Sequence, residues 1–414
     1  MKIGAPYYVR ALAMGIPAIC LGLQITGWLF FFPAIRDGHA DFRAFYSAGY
    51  MVRSGAAHQL YDYEVEKDYQ DRLVSEESFA MPFIHPAYET LLFVPLSLLS
   101  YRKAYWVLLA LNLALLIGCY RLLRPQMRAL AGVWPLLPAA VFLFLPVAST
   151  LMQGQDSIVL LAALVGASVS LQKKREGLAG SLLALGLFRL QIVLPIALLF
   201  LLWRRWRFSA GFALTGIVLA IISAGVVGLE QTGAYVRTLW SMTGSGPVID
   251  QFRYAQPDWQ MANLRGLIVG LFGSHIPKIW TRAVIVLSSV LVLGLVARLN
   301  RKREGEEAFH IAVLASAVIS FHLLFHDLVI LLVPLVFALN RFLPSEESGD
   351  FAGQVVARTA AMTFAAPIAL SFVPDFFYLV ALAPLTFLFV LVGYFRTVSG
   401  GMCSNTAVAR GGDR

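Results

Sequence analysis

Apolar runs recur along almost the whole chain, at about 11–33, 104–123, 133–148, 157–171, 177–188, 191–203, 208–229, 278–298, 308–321, 328–339, 355–373 and 376–395. A segment that crosses a bilayer needs ~20 residues of this kind, so about twelve candidate spans dominate what this sequence can fold into. With 58% hydrophobic and 14% charged residues, a soluble globule is excluded. The expected fold is an all-α polytopic membrane protein with about 12 transmembrane helices, a single integral membrane domain over 1–414. The first run is longer than a signal-peptide core of ~7 to 15 residues and lacks a small-x-small cleavage site, so a retained helix is expected.

Basic residues set the orientation. Lys173–Arg175, Arg204–Arg207 and Arg301–Arg303, with Arg121, Arg124 and Arg128, belong on the cytoplasmic side. A crossing at Ala87–Leu99 would invert every later cluster, and that run is short and contains Pro95. It is therefore read as an interfacial helix on the outer side. Residues 34–103 become the first extracytoplasmic loop, 230–277 the second and 397–414 a cytoplasmic tail, in a plasma (inner) membrane with both termini inside. The net charge of +9 reflects this orientation and contact with membrane lipids; nucleic acid is not an expected partner. Cys20, Cys119 and Cys403 offer no disulfide or metal spacing.

Two segments break the apolar pattern with charge. From Glu176 to Arg207 the chain has basic clusters at its end and just before its start, with Arg189 and Gln191 in the middle. One straight helix would place Arg189 near the bilayer centre, at a cost of at least ~2.5 kcal/mol, with the two clusters on opposite sides. A hairpin removes both conflicts, with arms of about twelve residues, ~18 Å, too short for a ~30 Å hydrocarbon core. Its apex Arg189 then serves as a ligand for lipid phosphate, or else snorkels or pairs with a buried carboxylate. Residues 308–340 repeat the design with His322, His326 and Asp327 at the apex. The two histidines are i, i+4, which suits phosphate or sugar hydroxyl ligands, structural hydrogen bonds or, with Asp327, a metal.

Asp41 opens the run DFRAFYSAGY about eight residues past the first apolar run, where a carboxylate stands just outside the bilayer. Its structural use would be to cap a helix starting at Phe42. The same outer side receives Tyr46, His85, Gln155, Asp156, Asn263 and Arg265, so these residues and Asp327 are candidates for binding sugar or acceptor. Gly177, Gly180 and Gly186 are read as helix-packing positions.

These residues resemble a known pattern. Asp41 with its aromatic run, Gly55 followed by Leu60, Tyr61 and Asp62, His85–Pro86, Gly154–Gln155, and the series Ala179, Gly180, Arg189, Pro195 and Arg204 are similar to glycosyltransferase family 87 of the GT-C superfamily over about residues 10–340. The resemblance implies a GT-C fold and a polyprenyl-phosphate sugar donor, mannose in described members. It also implies inverting transfer on the extracytoplasmic side and a catalytic base at Asp41. The chain departs from the pattern at Arg189, where Lys is expected, and at Asp156, where Asn is commoner.

Inverting transfer needs a carboxylate to deprotonate the acceptor hydroxyl and fixed cations for the leaving phosphate. Asp41 is the expected base with Asp327 as runner-up, and Arg189, His322 and His326 the expected phosphate ligands. No cofactor is expected; a divalent metal stays open but is not indicated. Partners are the lipid-linked donor, a lipid or glycan acceptor and membrane lipids. A secondary transporter of a small polar or anionic solute is the alternative, since it too buries charge among helices; its usual mark, paired interrupted helices in two repeated halves, is not seen.

Overall fold

The computed structural model describes residues 7–127, 141, 143–243, 247–254, 258–301, 303–342 and 350–409. Expectations for Arg128, residues 133–140, residues 256–257, Lys302 and residues 410–414 lie outside the described residues. In chain order the helices are α1 (Tyr7–Asp37), α2 (Phe42–Arg53), α3 (Tyr63–Leu73), α4 (Tyr101–Leu123), α5 (Leu145–Gln153), α6 (Ser157–Gln172), α7 (Glu176–Ala184), α8 (Leu190–Leu202) and α9 (Trp206–Met242). They continue as α10 (Val248–Tyr254), α11 (Leu264–Phe272), α12 (Lys278–Leu299), α13 (Gly305–Ile319), α14 (Leu332–Phe342), α15 (Phe351–Leu370) and α16 (Leu382–Ala409). No strand occurs among the described residues.

Five helices are long and apolar enough to cross a membrane, or six if α7 and α8 count as one bent span. This is a membrane protein, with fewer full-length spans among the described residues than the about twelve expected. The difference has a physical reason, because an apolar run records burial and not length. The runs near 157–171 and 308–321 form helices of 16 and 15 residues, short of the ~20 that a crossing needs. The expected interfacial helix at 87–99 is broken into single turns at Ala87–Glu89, Thr90–Phe93 and Leu96–Leu98. Leu91, Leu92 and Leu98 are exposed while Glu89, Thr90 and Phe93 are buried, so the segment has one apolar outer face.

The chain divides into two compact units. The first comprises Met1–Ile117, Val133–Ile158 and Ala220–Ala255. Its core is aromatic: Phe42 stacks on Tyr101 at 5.5 Å and Phe45 on Phe93 at 4.8 Å, with Met51, Leu60 and Phe83 fully buried around them. The run from Gly55 to Asp62 does local structural work here. Gly55 takes a left-handed turn at φ 86°, Leu60 fills the core, and the Asp62 carboxylate caps α3 by accepting from the N–H groups of Glu64 and Val65.

The second unit comprises Gly118–Gly132, Val159–Leu219 and Gln256–Arg414. It contains both interrupted segments. Helices α7 and α8, nine and 13 residues long, meet at 66° across the break that holds Arg189. Glu176 at the start of α7 pairs with Arg205 just beyond α8 at 3.1 Å, so the far ends of the two arms lie together. The second segment closes the same way: Glu307 in α13 pairs with Arg341 in α14 at 2.7 Å. Gly180 in α7 and Gly186 in the break that follows it pack as expected. A Cβ at Gly180 would stand 2.0 Å from the carbonyl oxygen of Phe208, and one at Gly186 would stand 2.5 Å from Leu160.

Candidate active site

Helix α2 starts at Phe42, and Asp41 holds the cap position. Its side chain makes no capping hydrogen bond. The carboxylate turns instead to the linker that follows α5: Oδ2 accepts from Gln155 Nε2 at 2.5 Å, and the Asp41 backbone N–H donates to Gln153 Oε1 at 3.4 Å. No partner from the described residues engages the other carboxylate oxygen. A half-buried carboxylate with one oxygen fixed and one available can accept a proton from a docked hydroxyl.

The linker reaches Asp41 because of Gly154. This residue ends α5 in the left-handed conformation at φ 63°, and a Cβ there would lie 2.7 Å from the Cβ of Phe42. Both facts exclude larger residues. Gly154→Ala is expected to lower thermal stability and to release Gln155 from Asp41, cutting activity even where folded protein is recovered. An unchanged melting temperature with full activity would show that this close approach does not hold the carboxylate.

The far side of α2 is anchored by Arg43, which is buried. Its guanidinium donates to Gln70 at 3.0 Å and to the Ser75 hydroxyl at 2.8 Å, and pairs with Asp71 at 3.0 Å. Tyr46, expected at the sugar or acceptor, is buried and donates its hydroxyl to the carbonyl of Leu99 at 2.8 Å. In this structure that hydroxyl fastens α2 to the segment just before α4.

His85 and Asp156 come together with a residue that the sequence reading passed over. Nδ1 of His85 stands 2.6 Å from Glu89 Oε2 and 3.2 Å from Asp156 Oδ2, and all three side chains are buried. Burial alone would lower the imidazole pKa, but the two carboxylates outweigh it and raise it to about 9. Burial, aided by Asp156, likewise pushes Glu89 up. Close approach of the carboxylates therefore holds the imidazole toward its charged form, and burial holds Glu89 toward its neutral acid. Glu89 was legible only as the i+4 partner of His85 in a segment read as an interfacial helix, and Gln153 only as the residue before the Gly154–Gln155 pair.

In the second unit the two hairpin apices meet. Arg189 Nη1 lies 3.5 Å from Asp327 Oδ1, which also has His326 Nε2 at 3.6 Å; both members of the Arg189–Asp327 pair are buried. Asp327 Oδ2 accepts from the backbone N–H of Leu324 at 3.0 Å and so caps the turn that begins there. Of the three uses of Arg189 weighed from sequence, namely phosphate ligand, snorkelling and pairing with a buried carboxylate, the last is thus present. Both oxygens of Asp327 are engaged, unlike those of Asp41. His322 is buried beside this pair.

Asn263 and Arg265 hold this apex in place. Asn263 caps α11 by accepting from the Gly266 N–H at 3.0 Å, and its amide donates to the Ser320 carbonyl at 2.7 Å. Arg265 donates to the Phe321 carbonyl at 2.8 Å and pairs with Asp258 at 2.6 Å. The candidate residues thus fall into one group around Asp41 in the first unit and one around Arg189 in the second.

The family model for glycosyltransferase family 87 matches residues 83–326, more than half of the chain. The chain belongs to glycosyltransferase family 87. The matched segment includes His85, Gln155, Asp156, Arg189, Asn263, Arg265, His322 and His326, and lies inside the 10–340 expected from the resemblance. Asp41 and Tyr46 precede it and Asp327 directly follows it. No curated protein and no solved structure matches the chain.

Proposed function

We propose that this membrane glycosyltransferase moves a hexose, mannose being the first choice, from a polyprenyl phosphate to a hydroxyl of a lipid or glycan acceptor. Transfer takes place on the extracytoplasmic side with inversion at the anomeric carbon. The observation that carries this reading is the Asp41 carboxylate, released from capping and held by Gln155 with its second oxygen open. In the proposed reaction Asp41 takes the hydroxyl proton and the acceptor oxygen forms a bond to the anomeric carbon. The bond from that carbon to the phosphate oxygen breaks, and its electron pair leaves with the polyprenyl phosphate.

The phosphate-binding role is assigned to Arg189, whose planar donors suit phosphate oxygens, with His322 and His326 as hydrogen-bonding partners. His85, Gln155, Asp156, Asn263 and Arg265 support this reading as residues that shape and fix the surroundings. Membranes containing the protein, incubated with labelled polyprenol-phosphate mannose, are expected to yield a labelled glycolipid or glycan of inverted anomeric configuration. Transfer from a nucleotide sugar and not from the lipid donor would overturn the donor class. Uptake of a small solute by proteoliposomes, without any transfer, would favour the transporter.

A further inference from the structure

We propose that His85, Glu89 and Asp156 form a site for one divalent metal ion of the zinc or manganese type. The three residues are 4%, 0% and 2% exposed, and their donor atoms all lie within 4.8 Å of one another. Donors bound to one ion at ~2.0 to 2.2 Å stand roughly 3 to 3.5 Å apart in tetrahedral or octahedral shells. The contacts of 2.6 and 3.2 Å at His85 Nδ1 are close to that spacing, so small side-chain adjustments would admit an ion.

Charge argues in the same direction. Two carboxylates sealed from water need compensation: without an ion, an imidazolium neutralises one of them and the other has to hold a proton. A divalent cation neutralises both and leaves His85 neutral, as a metal ligand must be. An independent observation points into the cluster: Oε1 of Glu89, on a fully buried side chain, makes no hydrogen bond among the described residues. The imidazole nitrogen in the donor set disfavours magnesium and calcium, which take oxygen ligands, and fits zinc or manganese.

The place of the site in the chain gives the ion a positioning role. Asp156 directly follows Gln155, whose amide holds Asp41, and His85 and Glu89 lie in the outer loop over 34–103. An ion here would clamp the linker to that loop without touching a reacting atom. This inference stands on the cluster itself and holds whether or not the sugar-transfer reading does.

The test uses the purified full chain, equilibrated separately with Zn²⁺ and with Mn²⁺, freed of excess ion, and assayed for bound metal and melting temperature. The wild type is expected to retain close to one equivalent of at least one of the two ions, to melt earlier after treatment with a chelator, and to recover when the same ion is restored. Glu89→Gln and Asp156→Asn are expected to lose the ion, whereas His322→Asn should keep it. Retention by folded Glu89→Gln and Asp156→Asn would move binding elsewhere and overturn the assignment. A wild type that keeps neither ion and melts unchanged with chelator would identify the cluster as an imidazolium between two carboxylates; this arm decides the question even if the variants fail to fold.

Discussion

Asp41→Asn is expected to reduce sugar transfer about 100-fold or more while leaving expression and melting temperature close to wild type. The substitution removes basicity and little else. Asn keeps the size of the side chain and an oxygen that can accept from Gln155 Nε2, and the carboxylate makes no capping bond to lose. A structural role would therefore predict a tolerated change. The companion Asp327→Asn separates the two candidate bases by a different pattern. It strips the charge that faces Arg189 and disturbs the cap on Leu324, so its main effect should appear as lost stability. A fully active Asp41→Asn protein beside a well-folded but inactive Asp327→Asn protein would move the base to Asp327.

Arg189→Gln should show two effects at once. Removing one member of a buried ion pair leaves Asp327 uncompensated and is expected to cost about 3 to 5 kcal/mol in stability. If Arg189 also contacts the donor phosphate, transfer falls by a further ~10- to 150-fold, the size of a lost charge-assisted contact of ~1.5 to 3 kcal/mol. The double variant Arg189→Gln/Asp327→Asn resolves them. Removing both charges should restore much of the melting temperature, because no unpaired charge remains, yet transfer should stay low. Recovery of transfer together with stability would mean that Arg189 serves only to neutralise Asp327, and the phosphate role would be lost.

The two hairpins were legible because their signal is local. Arg189 between flanking basic clusters, and His322, His326 and Asp327 inside a long apolar run, conflict with a straight crossing whatever surrounds them. The salt bridges Glu176–Arg205 and Glu307–Arg341 follow from charges already visible at the ends of the arms. The number of full-length spans was less legible. Short buried helices such as α6 and α13 have the same apolar composition as crossings, and composition does not report where a helix ends.

By itself the sequence determined the membrane setting, the all-helical class, the family pattern and the placing of Asp41 just past the first helix, since each depends on composition or on neighbours along the chain. Only the tertiary structure decided which carboxylate is available. It took Asp41 out of its capping role by bringing Gln155 to it from 114 positions away, and it engaged Asp327 with Arg189 and the Leu324 N–H. It also joined Asp156 to His85 and Glu89, a cluster no spacing rule spells out. The physical reason is common to all three: a side chain's freedom to act depends on what is packed against it, and those partners are set by folding and not by order in the chain.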